Sequence, residues 1–375
     1  MSRLDVDNAL HTTIVIGSVY PTYGAARVAI DIAESLSIEG GVQVITADGD
    51  ASRNRNVLAP EIKHVHIARS PGLLGWLVYT RKLRTILQAS PSGPIIGFLT
   101  LTNIALIISG LGSSYCRRII VSEHNIQSAA LRKFKRKFFA IAIMMRTLYP
   151  RAGSVVCVSE SVRKDLVEIL KVNPANMRVV SNPIDSDRIK RRAEEPLSAL
   201  DAEFCQRYNI ACVAELKSAK QQSLLIDAMV YVNNPTRLLL IGDGADDEKL
   251  RKHALDLGIA ERVVFLGRRE NPWPIVSRIA ATVLVPEYEG FGLSAAESAV
   301  VGTIPICGSV GGLGEIAMEL GAPIVPREGK VDTAAAIACE INDAVANGKK
   351  IDHRVLESWL EAHRPAVVSR QYVNH

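Results

Sequence analysis

The sequence predicts an α/β protein with two doubly wound, Rossmann-like domains that face a central cleft. Short apolar runs rich in β-branched residues alternate with helical stretches, which is typical of βαβ units whose strands are buried on both faces. The alternation breaks over residues 181–204 and then restarts, and 375 residues leave room for two domains. Because doubly wound sheets bind ligands at the carboxyl ends of their strands, we expect the reactive residues directly after strands.

The first set of elements begins with TTIVIGSV and ends with MRVVSNP. Between these runs the pattern predicts strands at VQVITA, PIIGFL, RRIIVSEH and SVVCVS. Helices are expected near residues 25–39, 75–88 and 160–170. Together these elements form a predicted N-terminal domain over residues 1–183.

The second set predicts a C-terminal domain over residues 184–360. Its strands are expected at NIACVAEL, TRLLLIGDG, RVVFLG, ATVLVP and IPICG, with helices near 219–231, 246–257, 272–280 and 294–301. The polar, proline-marked stretch 181–204 is interpreted as a linker or domain edge. Residues 361–375 are expected to form a final helix, after a break at Pro365, that returns to the N-terminal domain.

Composition narrows the classes of function. With 48% hydrophobic and 22% charged residues the chain is typical of a globular protein, and a net charge of +5 lacks the density expected of a nucleic-acid binder. Six cysteines without a CxxC spacing indicate reduced thiols and a cytoplasmic location. The N-terminal run IVIG predicts a strand rather than a signal peptide, and the longest apolar runs are too short to span a bilayer.

The stretch EYEGFGLSAAES, residues 287–298, carries two carboxylates on either side of a glycine turn. Gly290 and Gly292 favour a tight loop, and Ser294 with Glu297 fits the S-x-x-E capping pattern. We therefore expect Glu289 before a helix and Glu297 inside its first turn.

Three stretches in this order, VSEHN, LLLIGDGADDEKLRKHALDLGIAERVVFLG and EYEGFGLSAAES, resemble the retaining glycosyltransferases of family 4, which have the GT-B fold. The similarity covers nearly the whole chain. It implies an acceptor-side N-terminal domain and a C-terminal domain that binds a nucleotide-sugar. It also implies no bound metal and no cofactor, and no D-x-D metal motif is visible.

The resemblance assigns roles within the 287–298 stretch. Glu289 would contact the transferred sugar, and Glu297 would hydrogen-bond the ribose hydroxyls. Glu297 as a plain capping residue is the structural alternative. Backbone N–H groups of a loop at a helix start suit a diphosphate, and here that loop consists of Gly290, Phe291, Gly292 and Leu293.

Lys220, in VAELKSAKQ, matches the family's lysine that points at the donor phosphates. The structural alternative is a solvated lysine on a first helical turn. The chain departs from the family just before it, because Ala214 and Glu215 stand where a glycine and a phosphate-binding arginine are usual. A carboxylate there repels a diphosphate, so either Lys217 or another cation compensates, or donor binding is weaker.

His124 follows the strand RRIIVSEH and matches the family's first-domain histidine beside the sugar. A structural histidine is the alternative, and Glu123 and Asn125 are candidates to orient the ring. Gly24, in YPTYGAARVAI, matches the family's glycine loop after the first strand, although Ala25 replaces the second glycine. That loop would approach the phosphates from the opposite wall.

Residues 131–149 combine an apolar helical stripe with a basic face. A core helix with a solvated basic face explains the pattern, and a helix on an anionic inner membrane surface is the functional alternative. The stripe comprises Leu131, Phe134, Phe138, Ile141, Ala142, Met145 and Leu148; the basic face comprises Arg132, Lys133, Lys135 and Arg136, which Arg81, Lys82 and Arg84 would extend.

Together with these residues, the resemblance implies a metal-independent hexosyltransferase. It would move a sugar, with a UDP-sugar as the favoured donor and with retention of configuration, to a glycan or polyprenyl-linked acceptor for cell-surface polysaccharide. The alternative is a catalytically degenerate GT-B protein that binds nucleotide or serves as a scaffold. Departures such as Glu215 motivate that alternative.

Overall fold

A computed structural model describes residues 11–20, 24–132, 135–205, 209–327 and 329–374, with the backbone alone over 135–137. The chain divides into two compact units, here called unit 1 (residues 1–183 and 363–375) and unit 2 (residues 184–362). Each unit contains one parallel sheet flanked by helices, which confirms the predicted class of two doubly wound α/β domains. The predicted cleft concerns the placement of the two units and stays a prediction.

Unit 1 follows a βαβ order from its first strand. Its elements in chain order are β1 (Thr12–Ile16), α1 (Gly24–Ser37), β2 (Val42–Thr46), α2 (Ala51–Asn56), β3 (Lys63–His66), α3 (Gly72–Ala89), β4 (Ile95–Phe98), α4 (Thr100–Gly110), β5 (Ile119–Glu123), α5 (Gln127–Ala130), α6 (Lys135–Leu148), β6 (Ser154–Cys157), α7 (Glu160–Lys164) and β7 (Met177–Val179).

The sheet of unit 1 has the strand order β3-β2-β1-β4-β5-β6-β7, and all its pairs are parallel. Strands β1, β2, β4, β5 and β6 are buried along their whole length, as continuous apolar runs predict. Strand β3 was not predicted, because its residues KHVH form a polar, partly exposed edge strand. Helix α4 was not predicted either, because its apolar sequence carries no clear helical period.

Unit 2 repeats the architecture. Its elements are α8 (Ser186–Ala193), α9 (Ala199–Phe204), β8 (Ile210–Val213), α10 (Gln222–Ala228), β9 (Leu238–Ile241), α11 (Asp247–Asp256), β10 (Val263–Gly267), α12 (Trp273–Val276), β11 (Ala281–Leu284), α13 (Leu293–Val300), β12 (Ile304–Gly308), α14 (Gly311–Leu320), β13 (Ile324–Val325), α15 (Lys330–Asn347) and α16 (His353–Ala362).

The sheet of unit 2 has the order β10-β9-β8-β11-β12-β13, again with parallel pairs. One face packs against α10 and α15 through buried residues such as Leu225, Ile306 and Ile337. The other face is covered by a smaller cluster that includes Leu239 and Ile275. This core holds the loops that leave the carboxyl ends of the strands.

The stretch 181–204 is more ordered than the predicted linker. Both of its helices, α8 and α9, begin at a capping side chain: Asp185 accepts from the Arg188 N–H at 2.9 Å, and Ser198 accepts from the Asp201 N–H at 3.0 Å. Helix α8 packs against α12 and α13. The polar composition that suggested a linker therefore belongs to two short surface helices of unit 2.

The chain ends with α17 (Pro365–Val373), which packs on α1 of unit 1. Ser35 and Ser369 are joined by a hydrogen bond of 2.8 Å, and Arg370 pairs with Glu39 at 2.6 Å. In the same C-terminal half of α17, the Arg178 guanidinium donates to the backbone carbonyls of Gln371 and Tyr372. These contacts fix the last helix on the first unit.

Candidate functional site

Two loops at the carboxyl ends of neighbouring strands bring Lys220 and Glu289 together in unit 2. Strand β8 has β9 on one side and β11 on the other, so the connections that leave β8 and β11 run in opposite directions, at the point where doubly wound sheets bind ligands. Lys220 ends a 3-10 turn after β8, and Glu289 follows β11. The Lys220 Nζ lies 2.6 Å from the Glu289 Oε2, and both side chains are only partly exposed.

This ion pair sets the charge state of the lysine. Burial lowers the pKa of the Lys220 ammonium, but the Glu289 carboxylate, with smaller contributions from Cys212 and Glu215, outweighs burial and leaves the pKa above its ordinary value. Lys220 is therefore a cation at neutral pH. It is held by a partner and does not extend freely into solvent.

The loop after Glu289 rests on the first turn of α14. The Gly312 N–H donates to the Glu289 carbonyl at 3.0 Å, and the Gly290 N–H donates to the Glu289 Oε1 at 3.1 Å. A Cβ on Gly312 would lie 2.2 Å from the Gly290 carbonyl oxygen, and one on Gly311 would lie 2.0 Å from the Glu289 carbonyl oxygen. Two adjacent glycines therefore allow the backbones to approach this closely.

Glu297 lies deeper than the capping pattern predicts. Helix α13 begins at Leu293 after Gly292, whose φ of 109° only glycine adopts readily, so Ser294 is the second helical residue and Glu297 the fifth. The predicted Ser294 cap is wrong, because the positive-φ glycine starts the helix before the serine is reached. Glu297 is 6% exposed, and its role toward a ribose stays a prediction.

Trp273 holds the Glu297 carboxylate. Its indole Nε1–H donates to the Glu297 Oε2 at 3.3 Å, and the Arg192 guanidinium lies over the indole ring at 5.4 Å from the centroid. Trp273 is itself buried and opens α12. The two-helix segment at the start of unit 2 thus supports the carboxylate through this tryptophan.

Glu215 has a local counter-charge. The Lys217 Nζ lies 2.6 Å from the Glu215 Oε2, with both side chains about half exposed. Lys217 is one of the cations expected to compensate for this carboxylate, and the structure brings the two together. An exposed pair of this kind contributes little to stability, so its effect is to neutralise charge near Lys220.

His124 lies in unit 1, directly after β5, in an almost closed environment. Its Nε2 is 2.9 Å from the Ser122 Oγ, and its ring stacks on Phe98 with 5.3 Å between centroids. Burial lowers the pKa of the imidazole to about 3, so the ring is neutral at physiological pH. Within the described residues the ring contacts Ser122, and neither Glu123 nor Asn125 hydrogen-bonds to it, so the predicted orienting residues are wrong.

Glu123 instead anchors a separate buried network. Thr100 and Asn103 each donate to its carboxylate at 2.8 Å, Gln127 donates at 3.1 Å, and the Tyr149 hydroxyl donates as well. Burial raises the pKa of the Glu123 carboxyl, against the opposing effect of these four donors. The carboxyl faces α4 and Tyr149, away from the imidazole next to it in the chain.

Gly24 is the first residue of α1, which follows β1 in unit 1. Residues 21–23, the preceding part of the predicted glycine loop, lie outside the described residues. His124 and Gly24 belong to unit 1, whereas Lys220, Glu289, Glu297 and the loop of residues 290–293 belong to unit 2. A site that joins both groups stays a prediction.

Potential metal ligands do not cluster in the part of the chain that the structure describes. No group of three or more His, Cys, Asp and Glu side chains is arranged there to hold an ion. Asp243 lies in the loop after β9, and Asp246 and Asp247 lie at the start of α11, where acidic residues are favoured by the helix dipole.

Unit 1 also exposes apolar residues on α3 and α6. Leu73 and Leu74 are 79% and 75% exposed, ahead of Arg81 and Lys82 on the same helix. On α6, Met145 of the predicted stripe is buried, but Phe139 and Ile143 are exposed. The face opposite the stripe is thus not purely basic.

Lys133 and Phe134 lie outside the described residues, as do the side chains of 135–137. No described helix is both long and apolar enough to cross a bilayer.

Four residues that support the site were not predicted from the sequence: Gly311, Gly312, Ser122 and Trp273. Gly311 and Gly312 form a Gly-Gly pair after a strand, which indicates a close backbone approach. Ser122 and His124 are two apart, and strand periodicity puts them on one face. No comparable signal joins Trp273 to Glu297.

Two family descriptions match the chain, one for each half. Residues 22–188 match Glycosyltransferase Family 4, and residues 203–354 match Glycosyl transferases group 1.

Curated relatives match over part of their length. The N-acetylgalactosamine-N,N'-diacetylbacillosaminyl-diphospho-undecaprenol 4-alpha-N-acetylgalactosaminyltransferase of Campylobacter jejuni is 26% identical over 204 residues, 54% of each chain. The D-inositol 3-phosphate glycosyltransferase of Mycobacteroides abscessus is 33% identical over 183 residues, 46% of this chain and 40% of that one. The chain therefore spans about half the length of the curated relatives it matches.

Solved structures match over almost the whole chain. HepE of Anabaena in complex with UDP and glucose superposes with a TM-score of 0.76, covering 96% of this chain and 98% of that one. The two are 18% identical in sequence, so this likeness concerns the fold.

The contact between the 289–292 loop and α14 can be tested with two glycines of one helix. Gly312→Ala places a Cβ against the Gly290 carbonyl and should lower the free energy of unfolding of unit 2 by about 1–3 kcal/mol. Denaturation is followed by tryptophan fluorescence in a Trp76→Phe background, where the remaining two tryptophans, Trp273 and Trp359, lie in unit 2.

Gly314→Ala is the matched control. The nearest atom to its Cβ would be 3.4 Å away, an ordinary contact, and alanine favours the helix. It should leave stability unchanged or raise it by up to about 1 kcal/mol. Equal losses in the two variants would contradict the close approach.

The neutral state of His124 predicts a flat titration. Because its pKa is about 3, its ring resonances should not move between pH 5 and pH 8. As the pH falls below about 6.5, His124 binds a proton in the unfolded chain but stays unprotonated in the folded chain. The contribution of His124 to the free energy of unfolding therefore declines toward pH 3. NMR with His124→Gln for assignment checks this, and a midpoint above pH 5 would contradict it.

Proposed function

Because the chain belongs to the group 1 and family 4 glycosyltransferases with the GT-B fold, we propose that it transfers a sugar from a nucleotide-sugar to a hydroxyl acceptor. A UDP-sugar is the preferred donor. The acceptor is a glycan or a polyprenyl-linked saccharide used in cell-surface polysaccharide synthesis. The transferred sugar is a hexose and keeps its anomeric configuration, without a bound metal.

The observation that carries this proposal is the pairing of Lys220 with Glu289 at the strand-order reversal of unit 2. A cation held beside a glycine loop and a helix start suits the diphosphate of a donor. When the donor binds, the Lys220 ammonium pairs with the donor phosphates instead of Glu289, and the Glu289 carboxylate then lies next to the sugar. Lys220 then offsets the negative charge that grows on the leaving diphosphate.

The transfer step follows from this arrangement. The bond between the anomeric carbon and the diphosphate oxygen breaks, and the electron pair stays on the nucleoside diphosphate. The acceptor hydroxyl attacks from the same face, and its proton passes to the leaving phosphate. The negative Glu289 stabilises the positive charge that develops on the sugar ring.

Glu297 and Trp273 bind the nucleoside. The indole N–H occupies one carboxylate oxygen of Glu297, which orients the carboxylate toward the ribose hydroxyls. We further propose that His124 recognises a hydroxyl of the donor sugar and that Gly24 contributes to phosphate binding. We infer a preference for UDP from the fold neighbour HepE, which was crystallised with UDP and glucose.

Titration calorimetry with UDP, GDP and ADP, in the presence of a chelator, tests the donor site. We expect UDP to bind most tightly, and Lys220→Ala and Glu297→Ala each to weaken binding about tenfold or more, since each removes a charge-assisted contact. Lys350→Ala is the control: it removes an exposed lysine that lines a pocket with Ala280 and Gly302, at the amino ends of β11 and β12. Its UDP affinity should equal that of the wild type.

A transfer assay with UDP-sugars and a polyprenyl-diphosphate-linked acceptor completes the test. Glu289→Gln should bind UDP but lose transfer, because the carboxylate acts on the sugar. Selective UDP binding without transfer in the wild type would support the nucleotide-binding module instead. Binding of none of the three nucleotides would overturn the donor site.

The enzyme acts at the cytoplasmic face of an anionic membrane. The exposed apolar residues of α3 lie ahead of Arg81 and Lys82, a pairing that suits insertion among acyl chains beside anionic headgroups. A lipid-linked acceptor would be reached from that surface.

Vesicle sedimentation tests this contact. The wild type should bind vesicles containing phosphatidylglycerol and not vesicles of phosphatidylcholine alone. The pair Leu73→Gln and Leu74→Gln should release it, since both side chains are exposed on α3. Leu255→Gln, which removes a leucine of unit 2 that is 68% exposed, should bind like the wild type. Binding that is indifferent to the α3 change would contradict the proposal.

A further inference from the structure

A chain of three side chains links the last helix to His124. The Tyr372 hydroxyl lies 2.8 Å from the Ser122 Oγ, and the same Oγ lies 2.9 Å from the His124 Nε2. Ser122 and Tyr372 have no exposed surface. Ser122 is therefore the central group of a buried relay that begins 250 residues later in the chain.

The protons of this relay can be assigned by counting donors and acceptors. Among the described residues, the Tyr372 hydroxyl has only Ser122 as a partner, and the Ser122 hydroxyl has only Tyr372 and His124. A buried O–H without an acceptor is unfavourable. Both hydroxyls donate only if Tyr372 donates to Ser122 and Ser122 donates to His124.

The reverse direction leaves a donor unsatisfied. If the His124 Nε2 carried the proton and donated to Ser122, Ser122 would donate to Tyr372, and the Tyr372 proton would have no described acceptor. Burial raises the pKa of the Tyr372 phenol, so the group keeps that proton at neutral pH. Only the first direction, from Tyr372 to Ser122 to His124, leaves no buried hydroxyl donor unsatisfied.

The rings on this relay are also held in place. Phe98 stacks on His124 and, at 6.2 Å between centroids, on Tyr372. Arg178 donates to the Tyr372 carbonyl at 2.8 Å, which ties the end of α17 to β7. The imidazole therefore has a defined orientation as well as a defined partner.

We propose that Ser122, supported by Tyr372, is a positioning residue that keeps the His124 proton on Nδ1. The imidazole then offers an N–H donor on its other nitrogen, which has no hydrogen-bond partner among the described residues. A substrate oxygen at this nitrogen must accept the hydrogen bond. That the oxygen belongs to a hydroxyl of the donor sugar rests on the proposed function.

The tautomer can be measured without any substrate. NMR of the ¹⁵N-labelled full chain distinguishes a protonated from an unprotonated ring nitrogen, with His124→Gln for assignment. We expect Nδ1 protonated and Nε2 unprotonated in the wild type. A protonated Nε2 would overturn the proposal, whatever the enzyme's substrate.

Two variants locate the cause. Ser122→Ala should release the Nε2, so that the proton redistributes toward it, whereas Ser109→Ala, which removes another buried serine hydroxyl of unit 1, should leave the tautomer unchanged.

Tyr372→Phe should move the Nε2 shift part of the way, because Ser122 donates less strongly once it accepts no bond. Tyr115→Phe, which removes a buried phenol bonded to the Ser109 carbonyl, is its control. Wild-type shifts in both Ser122→Ala and Tyr372→Phe would overturn the relay.

Kinetics connect the tautomer to the reaction. Ser122→Ala should lower kcat/KM for the nucleotide-sugar about tenfold, while the Kd for UDP, which has no sugar, stays unchanged. An unchanged kcat/KM with a redistributed tautomer would overturn only the contact with the sugar. A wild type that shows the expected tautomer but no transfer would refute the proposed function and leave the relay intact.

Discussion

Parallel strands bring the ends of distant segments to one edge of a sheet, and the reversal of strand order beside β8 separates the loops at that edge. The candidate site of unit 2 depends on this constraint. Lys220 and Glu289 are 69 residues apart, and each follows one of the two strands that flank the reversal. Their ion pair, the glycine contact with α14 and the placement of Glu297 all follow from loops anchored to these buried strands.

The sequence identified the parts of the fold that leave a local pattern. Buried strands have apolar sequences rich in β-branched residues, so the two sheets and the loops that follow their strands could be predicted. The polar edge strand β3 leaves no such run. The predicted Ser294 cap failed because a capping pattern describes only local hydrogen bonds, whereas the start of α13 is set by Gly292 and by the packing of the preceding residues 289–291 against the glycines of α14. Ser122 and Tyr372 could not be paired, since no local signal joins residues 250 positions apart.

The two ion pairs near the candidate donor site differ in character. Glu215 and Lys217 are about half exposed, so salt and solvent screen them and they form a nearly neutral surface pair. Lys220 and Glu289 are more enclosed, and their mutual attraction is screened less. The carboxylate that replaces an expected arginine is thus offset locally, and the charge that distinguishes the site resides in the enclosed pair.

The chain enters unit 2 after residue 183 and leaves it after residue 362, so unit 1 is assembled from two segments, residues 1–183 and 363–375, that are far apart in sequence. Its last segment supplies the phenol behind His124 and covers α1. The gene therefore cannot be divided at a single point into two complete modules. Recombination between relatives that exchanges the first unit must carry the final helix with it. During synthesis on the ribosome, unit 1 stays incomplete until residues 363–375 have emerged.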